Sequence, residues 1–586
     1  MTFLREFQSP PPVIRSEGLP AAADPPDRSS QTLLILAVLL LLCLVPRALM
    51  AWQLGAVCDD GYYYISVADA LEHRDFDTAF YYLHVNVYPA ILLIGQRLGL
   101  DWIVAGKLWG VLIGSLTILP LFGWVRRLFD LRTAAAAGFL YAVHPDLIEL
   151  SVEPLREQTF WFLFTFCLYM MGRAISERKF RWFLGTGLAL ALAIHTRIEG
   201  WILLLPLIAW TANRWRLARI GRLKLVSGTL LALAVTPCLL VSVNLTLLRD
   251  YSRWEWGRLR PFRLCLNYSR ECLRAISPGG DEEPSDVVRS ATAASSGSKA
   301  ALKGRSDKPS SASTGSATTP DVTSGRPSPL WGFVYEWGRT RQPVNLVLLL
   351  IGLIGGRRLL RDPDKLVLVV ISMAIAVGIW ISLMTRGDLN AGRYFLTNFL
   401  VLVPFTAVGF QFAITRLFQW GERWKQSRRL LVSPAVGFVL LLTIVYWGDA
   451  LSSRHVTREQ QANIGRRLQS EFGPFSSVVT DDRSGRMGYF AQGDMPVTPC
   501  RLRKLGPLIR KTTPDLVILR KPIFPDAPQN DVVKEITRLG LHRVPPGELF
   551  PETGQFDVYT RRLPRTFVEE PQAPGNIATR PGTRRH

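Results

Sequence analysis

The sequence predicts an all-α polytopic membrane protein of about eleven transmembrane helices followed by a small α/β domain. Three observations predict it. Apolar runs of membrane-spanning length recur from residue 32 to residue 449. The Arg and Lys side chains gather in alternate short connections between those runs. Beyond residue 450 the composition becomes that of an ordinary soluble chain, with one helical pattern and several alternating strands.

Residues 1–31 are Pro-rich and mixed in charge, with neither the basic start nor the adjoining small-residue cleavage site of a signal peptide. They are expected to form a flexible cytoplasmic tail, and the first apolar run to remain as an anchor. Windows of about 20 residues place spans near 32–52, 103–125, 133–147, 157–174, 181–196, 198–213, 225–248, 343–356, 365–385, 395–415 and 430–449. Residues 32–449 are thus the transmembrane domain, with an external loop at 53–102. The connections carrying Arg126, Arg127 and Arg132, then Arg173, Arg178, Lys179 and Arg181, then Arg214, Arg216, Arg222 and Lys224 are strongly basic. Those carrying Arg357, Arg358 and Arg361, then Arg416, Arg423 and Lys425 continue the alternation. The positive-inside rule makes these cytoplasmic, which puts the N-terminus inside and the C-terminal domain outside. The expected location is the plasma (inner) membrane.

The net charge of +22, from 69 basic and 47 acidic residues, is spread over these connections. A nucleic-acid-binding face would need it concentrated, so nucleic acid is not an expected partner. Membrane lipid is.

Residues 276–330 are built from Ser, Thr, Gly, Ala and Pro with few large apolar side chains, too little to offset the entropy of ordering. A disordered external insert is expected, and the tail at 566–586 is equally loose. Between them, residues 450–565 are expected to form an α/β appendage. "TREQQANIGRRLQSEFG" has helical spacing, and "SSVVTDD", "DLVILRK" and "QFDVYTRR" have strand character. The "GRMGYFAQG" stretch lacks the strand, turn and helix context of a nucleotide loop and is expected to be a glycine-containing turn.

Seven cysteines make no disulfide framework. Cys43, Cys167 and Cys238 fall in apolar runs as small hydrophobes; Cys265 and Cys272 are close enough in sequence to bridge if the compartment is oxidising. No His or Cys spacing supports zinc, no cofactor is expected, and two carboxylates alone do not decide a divalent-cation requirement.

The chemistry-bearing stretch is "CDDGYYYISVADALEH", directly after the first run. One acid is explained if Asp60 caps a helix beginning near Tyr62. Adjacent side chains point in different directions, so Asp59 is either solvated or functional, and spacing alone leaves both open.

An acidic pair in the first external loop, an aromatic-rich juxtamembrane helix, about ten further spans and an external C-terminal domain together resemble the C-type (GT-C) glycosyltransferases. The likeness is nearest to the dolichyl-phosphate-mannose protein mannosyltransferase-like family, which includes the bacterial lipid A aminoarabinose transferases. It extends from about residue 32 to 560, mostly as topology, with local likenesses in "HPDLIELSVEPLREQTFWFL", "IHTRIEGWILLLP" and "AGRYFLTNFLVLVP". The resemblance implies inverting transfer of a hexosyl or pentosyl unit from a polyprenyl-phosphate carrier to a protein or glycolipid acceptor at the external face. It implies Asp59 as the base and Asp60 as the second acid, which raises its neighbour's pKa, orients it or caps the helix. Arg393 and Tyr394 match the family's Arg-Tyr element and are expected at the donor phosphate. Arg197 on the same side has the alternative of a snorkelling anchor. Glu153 matches an acidic position after the third span; its alternative is an ion pair with Arg156. Where many members carry a basic residue and a Pro pair, this chain reads "YYLHVNVYPAILLIG", leaving His84 as the basic candidate and Tyr88 among aromatics that can stack on sugar.

Two other classes compete. A secondary transporter would show ionisable or broken segments at mid-membrane in two corresponding halves, whereas these runs carry little mid-depth charge and no internal repeat is visible. A noncatalytic membrane scaffold would tolerate loss of Asp59.

Cysteines introduced near Ser313 and near Lys504 should both react with an impermeant maleimide in intact cells. Labelling of either one only after permeabilisation would reverse the topology.

Overall fold

The computed structural model describes residues 26–55, 58–76, 79, 85–218, 220–248, 343–386, 392–425, 434–452, 456–481, 485–493, 498–500, 506, 508–510, 512–520, 529–544 and 556–562. The N-terminal tail at 1–25, His84, Cys265, Cys272, the 276–330 insert and the tail from 566 lie outside the described residues.

Helix α1 (Pro26–Gln53) enters the bundle, and α2 (Asp59–Glu72) and α3 (Val87–Arg97) follow in the first loop. The bundle continues with α4 (Trp102–Leu116), α5 (Ile118–Leu128), α6 (Leu131–Val143), α7 (Pro145–Ser151), α8 (Glu157–Glu177) and α9 (Phe180–Thr196). After a 3-10 turn (Ile198–Leu203) come α10 (Leu204–Leu217), α11 (Arg222–Leu248), α12 (Pro343–Gly355), α13 (Pro363–Arg386), α14 (Gly392–Lys425) and α15 (Pro434–Leu451).

Among the described residues seven helices are long and apolar enough to cross a membrane: Ser30–Gln53, Trp102–Leu128, Glu157–Glu177, Arg222–Val243, Pro363–Ile381, Arg393–Gly421 and Pro434–Leu451. The other four expected spans are occupied by the shorter α6, α9, α10 with its 3-10 turn, and α12. Large apolar side chains such as Leu33, Leu41, Val370, Met373, Leu441 and Ile444 point outward, as hydrocarbon solvent requires. This is a multi-pass membrane protein.

Without a hydrophobic drive between helices in lipid, close backbone approach at small residues supplies the packing. Helices α12 and α14 show it. A Cβ on Gly352 would stand 1.9 Å from the Phe405 carbonyl oxygen, and one on Gly409 would stand 1.8 Å from that of Leu348. Charge within the bundle is anchored on backbone. Pro145 ends α6, leaving carbonyls without helical partners. The wholly buried Arg47 of α1 donates from Nη1 to the Ala142 carbonyl at 3.3 Å and from Nε to Ser151 Oγ at 3.1 Å, with its guanidinium 5.3 Å from the Tyr141 ring centre.

The C-terminal domain comprises α16 (Val456–Phe472), β1 (Val478–Asp481), α17 (Gly485–Ala491), β2 (Thr498–Cys500), β3 (Leu516–Arg520), α18 (Gln529–Arg538), β4 (His542–Arg543) and β5 (Phe556–Thr560). The sheet order is β2-β1-β3-β5-β4; β1 pairs in parallel with β2 and β3, whereas β5 runs antiparallel to β3 and β4. Alternation divides β3 between two cores. Leu516 and Ile518 join Leu468, Phe472 and Val558 on one face, while Val517 and Leu519 join Val532 and Ile536 on the other.

The small α/β domain does not stand apart from the bundle. Tyr489 and Phe490 of α17 and Ala462 of α16 share one core with Tyr62, Tyr64 and Ile65 of α2, Tyr88 and Leu92 of α3, and Trp102 and Ile103 of α4. The Tyr62 and Tyr489 rings lie 5.0 Å apart. The expected turn at "GRMGYFAQG" is helix α17 over most of its length, because burying Tyr489 and Phe490 against α2 outweighs the poor helix propensity of Gly485 and Gly488.

Gly409→Val should lower the apparent melting temperature of the detergent-purified protein or abolish its accumulation, with a cost of at least about 1–3 kcal/mol from overpacking. Gly378→Val, where nothing lies within 4 Å of the added Cβ, should be far milder. Equal effects would mean that α12 and α14 do not meet at these glycines.

Candidate active site

The first turn of α2 carries the acidic pair. The helix begins at Asp59, not near Tyr62, with Cys58 as its N-cap. Asp60 is therefore a first-turn residue and not the cap. The correction has a physical cause: the backbone N–H of Cys58 is taken by the Glu153 carboxylate at 2.7 Å, so another segment secures the helix start. Both Asp side chains then sit where the positive end of the helix dipole favours them.

From adjacent positions the two carboxylates diverge. Asp60 Oδ2 accepts a hydrogen bond from Nη1 of Arg393, which stands at the start of α14. Asp59 Oδ1 lies 3.1 Å from Nη2 of Arg486 on α17. One acid thus faces the membrane bundle and the other the C-terminal domain. Both stay reachable, with Asp60 48% and Asp59 38% exposed.

Behind Asp60 the charges alternate. Arg393 Nε lies 3.7 Å from Glu157 Oε1, and the same oxygen accepts from Arg197 Nη1 at 2.8 Å. Arg197 donates further to both oxygens of Glu199, from Nη2 at 2.8 Å and from Nε at 3.3 Å. The Tyr394 ring is shared, its centre 4.6 Å from the Arg197 guanidinium and 5.6 Å from that of Arg393. Glu157 and Arg197 are 1% and 2% exposed, so this pairing compensates two nearly complete desolvations. Arg393, at 31%, is far more exposed than Arg197 and stays in reach of a ligand.

Of the expected site residues, Asp60, Arg393, Tyr394 and Arg197 lie in one connected network, with Asp59 beside it. Arg197 does not snorkel: two carboxylates hold it inside. Glu153 is 1% exposed and pairs with Arg458 of α16, not with Arg156. Its two oxygens join the C-terminal domain to the start of α2. Tyr88 is wholly buried, its ring edge-on to Tyr64 at 5.4 Å, so the ring is not presented to solvent. His84 lies outside the described residues. Burial, with Glu153 and Asp60 nearby, pushes the Cys58 thiol well above its usual range, and burial does the same to the Tyr64 phenol. Neither is ready to ionise. Among the described residues no three His, Cys, Asp or Glu side chains gather as a metal ion would require.

Four participants escaped the sequence analysis. Glu157 and Glu199 were within the quoted stretches "PLREQTF" and "HTRIEG", where an acid at the edge of an apolar run next to an Arg was the available signal. Arg458 and Arg486 had none, because nothing local marks which exposed-looking arginine will reach across to α2.

Comparison with known proteins adds the following. Residues 84–241 match the model of the family described as dolichyl-phosphate-mannose-protein mannosyltransferase. That segment holds Glu153, Glu157, Arg197 and Glu199; Asp59, Asp60, Arg393 and Arg486 lie beyond it. A comparison with curated protein sequences gives no match. The apo oligosaccharyltransferase of Archaeoglobus fulgidus superposes with a TM-score of 0.52 at 14% identity, over 84% of this chain and 70% of that one. Apo ArnT from Cupriavidus metallidurans superposes with a TM-score of 0.50 at 14% identity, over 91% of this chain and 98% of that one. The likeness is one of fold: the chain has the GT-C architecture.

Glu157→Gln should destabilise the protein by about 3–5 kcal/mol, since it strips a buried guanidinium of one counter-charge. Asp60→Asn, at a half-exposed pair, should cost less than about 1 kcal/mol. Apparent melting temperatures in one detergent compare the two, and an equal or reversed order would contradict the buried chain of charges.

Proposed function

We propose that the protein is a membrane glycosyltransferase that moves a hexosyl or pentosyl unit from a polyprenyl-phosphate carrier to an acceptor on the external side, with inversion. The carrying observation is the divergence of the acidic pair, one acid on Arg393 and its neighbour turned the other way. The partial family match and the GT-C fold support the same reading.

The chemistry follows from that geometry. An in-line displacement needs a proton acceptor on one side of the anomeric carbon and a charge for the departing phosphate on the other. A polyprenyl chain stays in lipid while its phosphate rides at the interface, where α2 and the start of α14 meet. Arg393 is the phosphate cation, because a guanidinium matches phosphate and this one is both oriented and reachable. Asp60 and Glu157 hold it, with Arg197 and Tyr394 behind. Asp60 therefore stands on the leaving-group side. Asp59 is left as the base: it takes the acceptor's proton as the acceptor atom bonds to the anomeric carbon. The carbon–oxygen bond to phosphate breaks, and the electron pair leaves with the polyprenyl phosphate opposite Arg393.

A transporter is less well supported, since the described ion pairs of the site gather at one end of the helices, away from mid-membrane. The N-terminus is cytoplasmic and the C-terminal domain external on the charge asymmetry of the connections.

Lipid extracts of cells lacking the protein should accumulate a sugar-loaded polyprenyl phosphate that disappears on complementation. An unchanged lipid-linked sugar pool would count against the proposal. With purified protein, Arg393→Ala should weaken undecaprenyl phosphate binding by about tenfold or more, the value of a charge-assisted contact. Retained affinity would remove Arg393 from the phosphate site.

A further inference from the structure

We infer that Arg486, carried by the C-terminal domain, is a positioning residue for Asp59, so that the candidate active site is completed by that domain. The inference rests on the reading of Asp59 as the base.

Arg486 is 4% exposed, on a short helix whose seven residues are all buried. Burying a guanidinium is unfavourable unless its charge and N–H groups are engaged. One side of this one is fixed within its own domain, where Nη1 donates to Gln461 Oε1 of α16. Another faces out of the domain, with Nη2 at 3.1 Å from Asp59 Oδ1. The guanidinium is thus held from within its own domain, with Nη2 in ion-pair range of one oxygen of Asp59. A half-exposed Asp at a helix start would otherwise rotate among rotamers, and a base that must meet an acceptor proton loses rate with each wrong one.

A fixed domain is needed to hold a fixed arginine, and the structure provides that separately. Arg458 binds Glu153, whose other oxygen takes the Cys58 N–H. Tyr489 and Phe490 pack on Tyr62, with ring centres 5.0 and 6.3 Å away. Tyr489 also donates from its hydroxyl to Asp101 at 3.3 Å. These contacts dock α17 on α2 whether or not Arg486 touches Asp59. Arg486 makes and breaks no bond in the reaction; it fixes the direction from which Asp59 receives the proton.

The test uses full-length protein in proteoliposomes, with the sugar-loaded polyprenyl phosphate isolated from cells lacking the protein as donor and a membrane extract of the same cells, whose acceptor is still unmodified, as the source of acceptor. Release of polyprenyl phosphate is the readout. Arg486→Ala should lower kcat by about 30-fold or more while the donor KM stays within about threefold, as for a group that acts on the base and not on donor binding. Arg486→Lys should recover part of the loss. Millimolar guanidinium should raise the rate of Arg486→Ala by about tenfold and leave Asp59→Asn unchanged, because only the former lacks a guanidinium and nothing else. A kcat within twofold of wild type for Arg486→Ala overturns the inference. So does a loss that neither lysine nor guanidinium relieves and that follows the same fall in melting temperature as Arg458→Ala, which would make Arg486 a docking contact. Wild-type protein that leaves the donor unconsumed would instead overturn the reading of the site itself.

Discussion

The buried pairing of Glu157 with Arg197 and Arg393 is what the remainder of the site leans on. A carboxylate that is 1% exposed inside a membrane protein is tolerated only where opposite charge surrounds it. Satisfying it draws the start of α8, the end of α9 and the start of α14 to one point. Arg393, placed there, reaches Asp60 and sets the membrane-facing side of α2. The helix-start acids and the bundle are registered to each other by that chain, and no flexible loop needs to supply the alignment.

The other side of α2 is registered by the C-terminal domain. Glu153 takes the Cys58 N–H and pairs with Arg458, while Tyr62 packs against Tyr489. The two adjacent acids are therefore held from two bodies of the protein, Asp60 by the bundle and Asp59 by the domain. That division suits a displacement in which proton acceptance and phosphate departure lie on opposite sides of one carbon. It also explains why a soluble segment follows the last span: its core is continuous with that of α2, α3 and α4.

Much of this architecture was legible in the sequence. The run read as 157–174 is the helix Glu157–Glu177, and that read as 103–125 lies within the paired helices Trp102–Leu128. Three of the five described strands were visible from strand character, with alternation in the last of them, whereas β2 and β4 are too short, at three and two residues, to show a period. The acidic pair and Arg393 were also legible, one from its place after the first span and the other from its Arg-Tyr neighbourhood. What could not be read was pairing. Asp60 and Arg393 are 333 positions apart, and their contact is decided by helix packing that no local pattern encodes. Glu153 looked like a partner for Arg156 three residues on, yet the break between α7 and α8 turns it toward α16. Arg486 was hidden for a related reason: glycines at 485 and 488 signalled a turn, and only burial of Tyr489 and Phe490 makes the segment helical.

Turnover of the two amide variants separates proton acceptance by Asp59 from support of Arg393 by Asp60. Asn keeps the shape of either side chain and removes its proton acceptance. Asp59→Asn should lower transfer by roughly 10² to 10⁴ in membranes containing equal amounts of protein, with undecaprenyl phosphate binding retained. Asp60→Asn should be the milder of the two and should weaken phosphate binding. Near-normal transfer by Asp59→Asn, or an Asp60→Asn protein that binds undecaprenyl phosphate normally but does not turn over, would contradict the account.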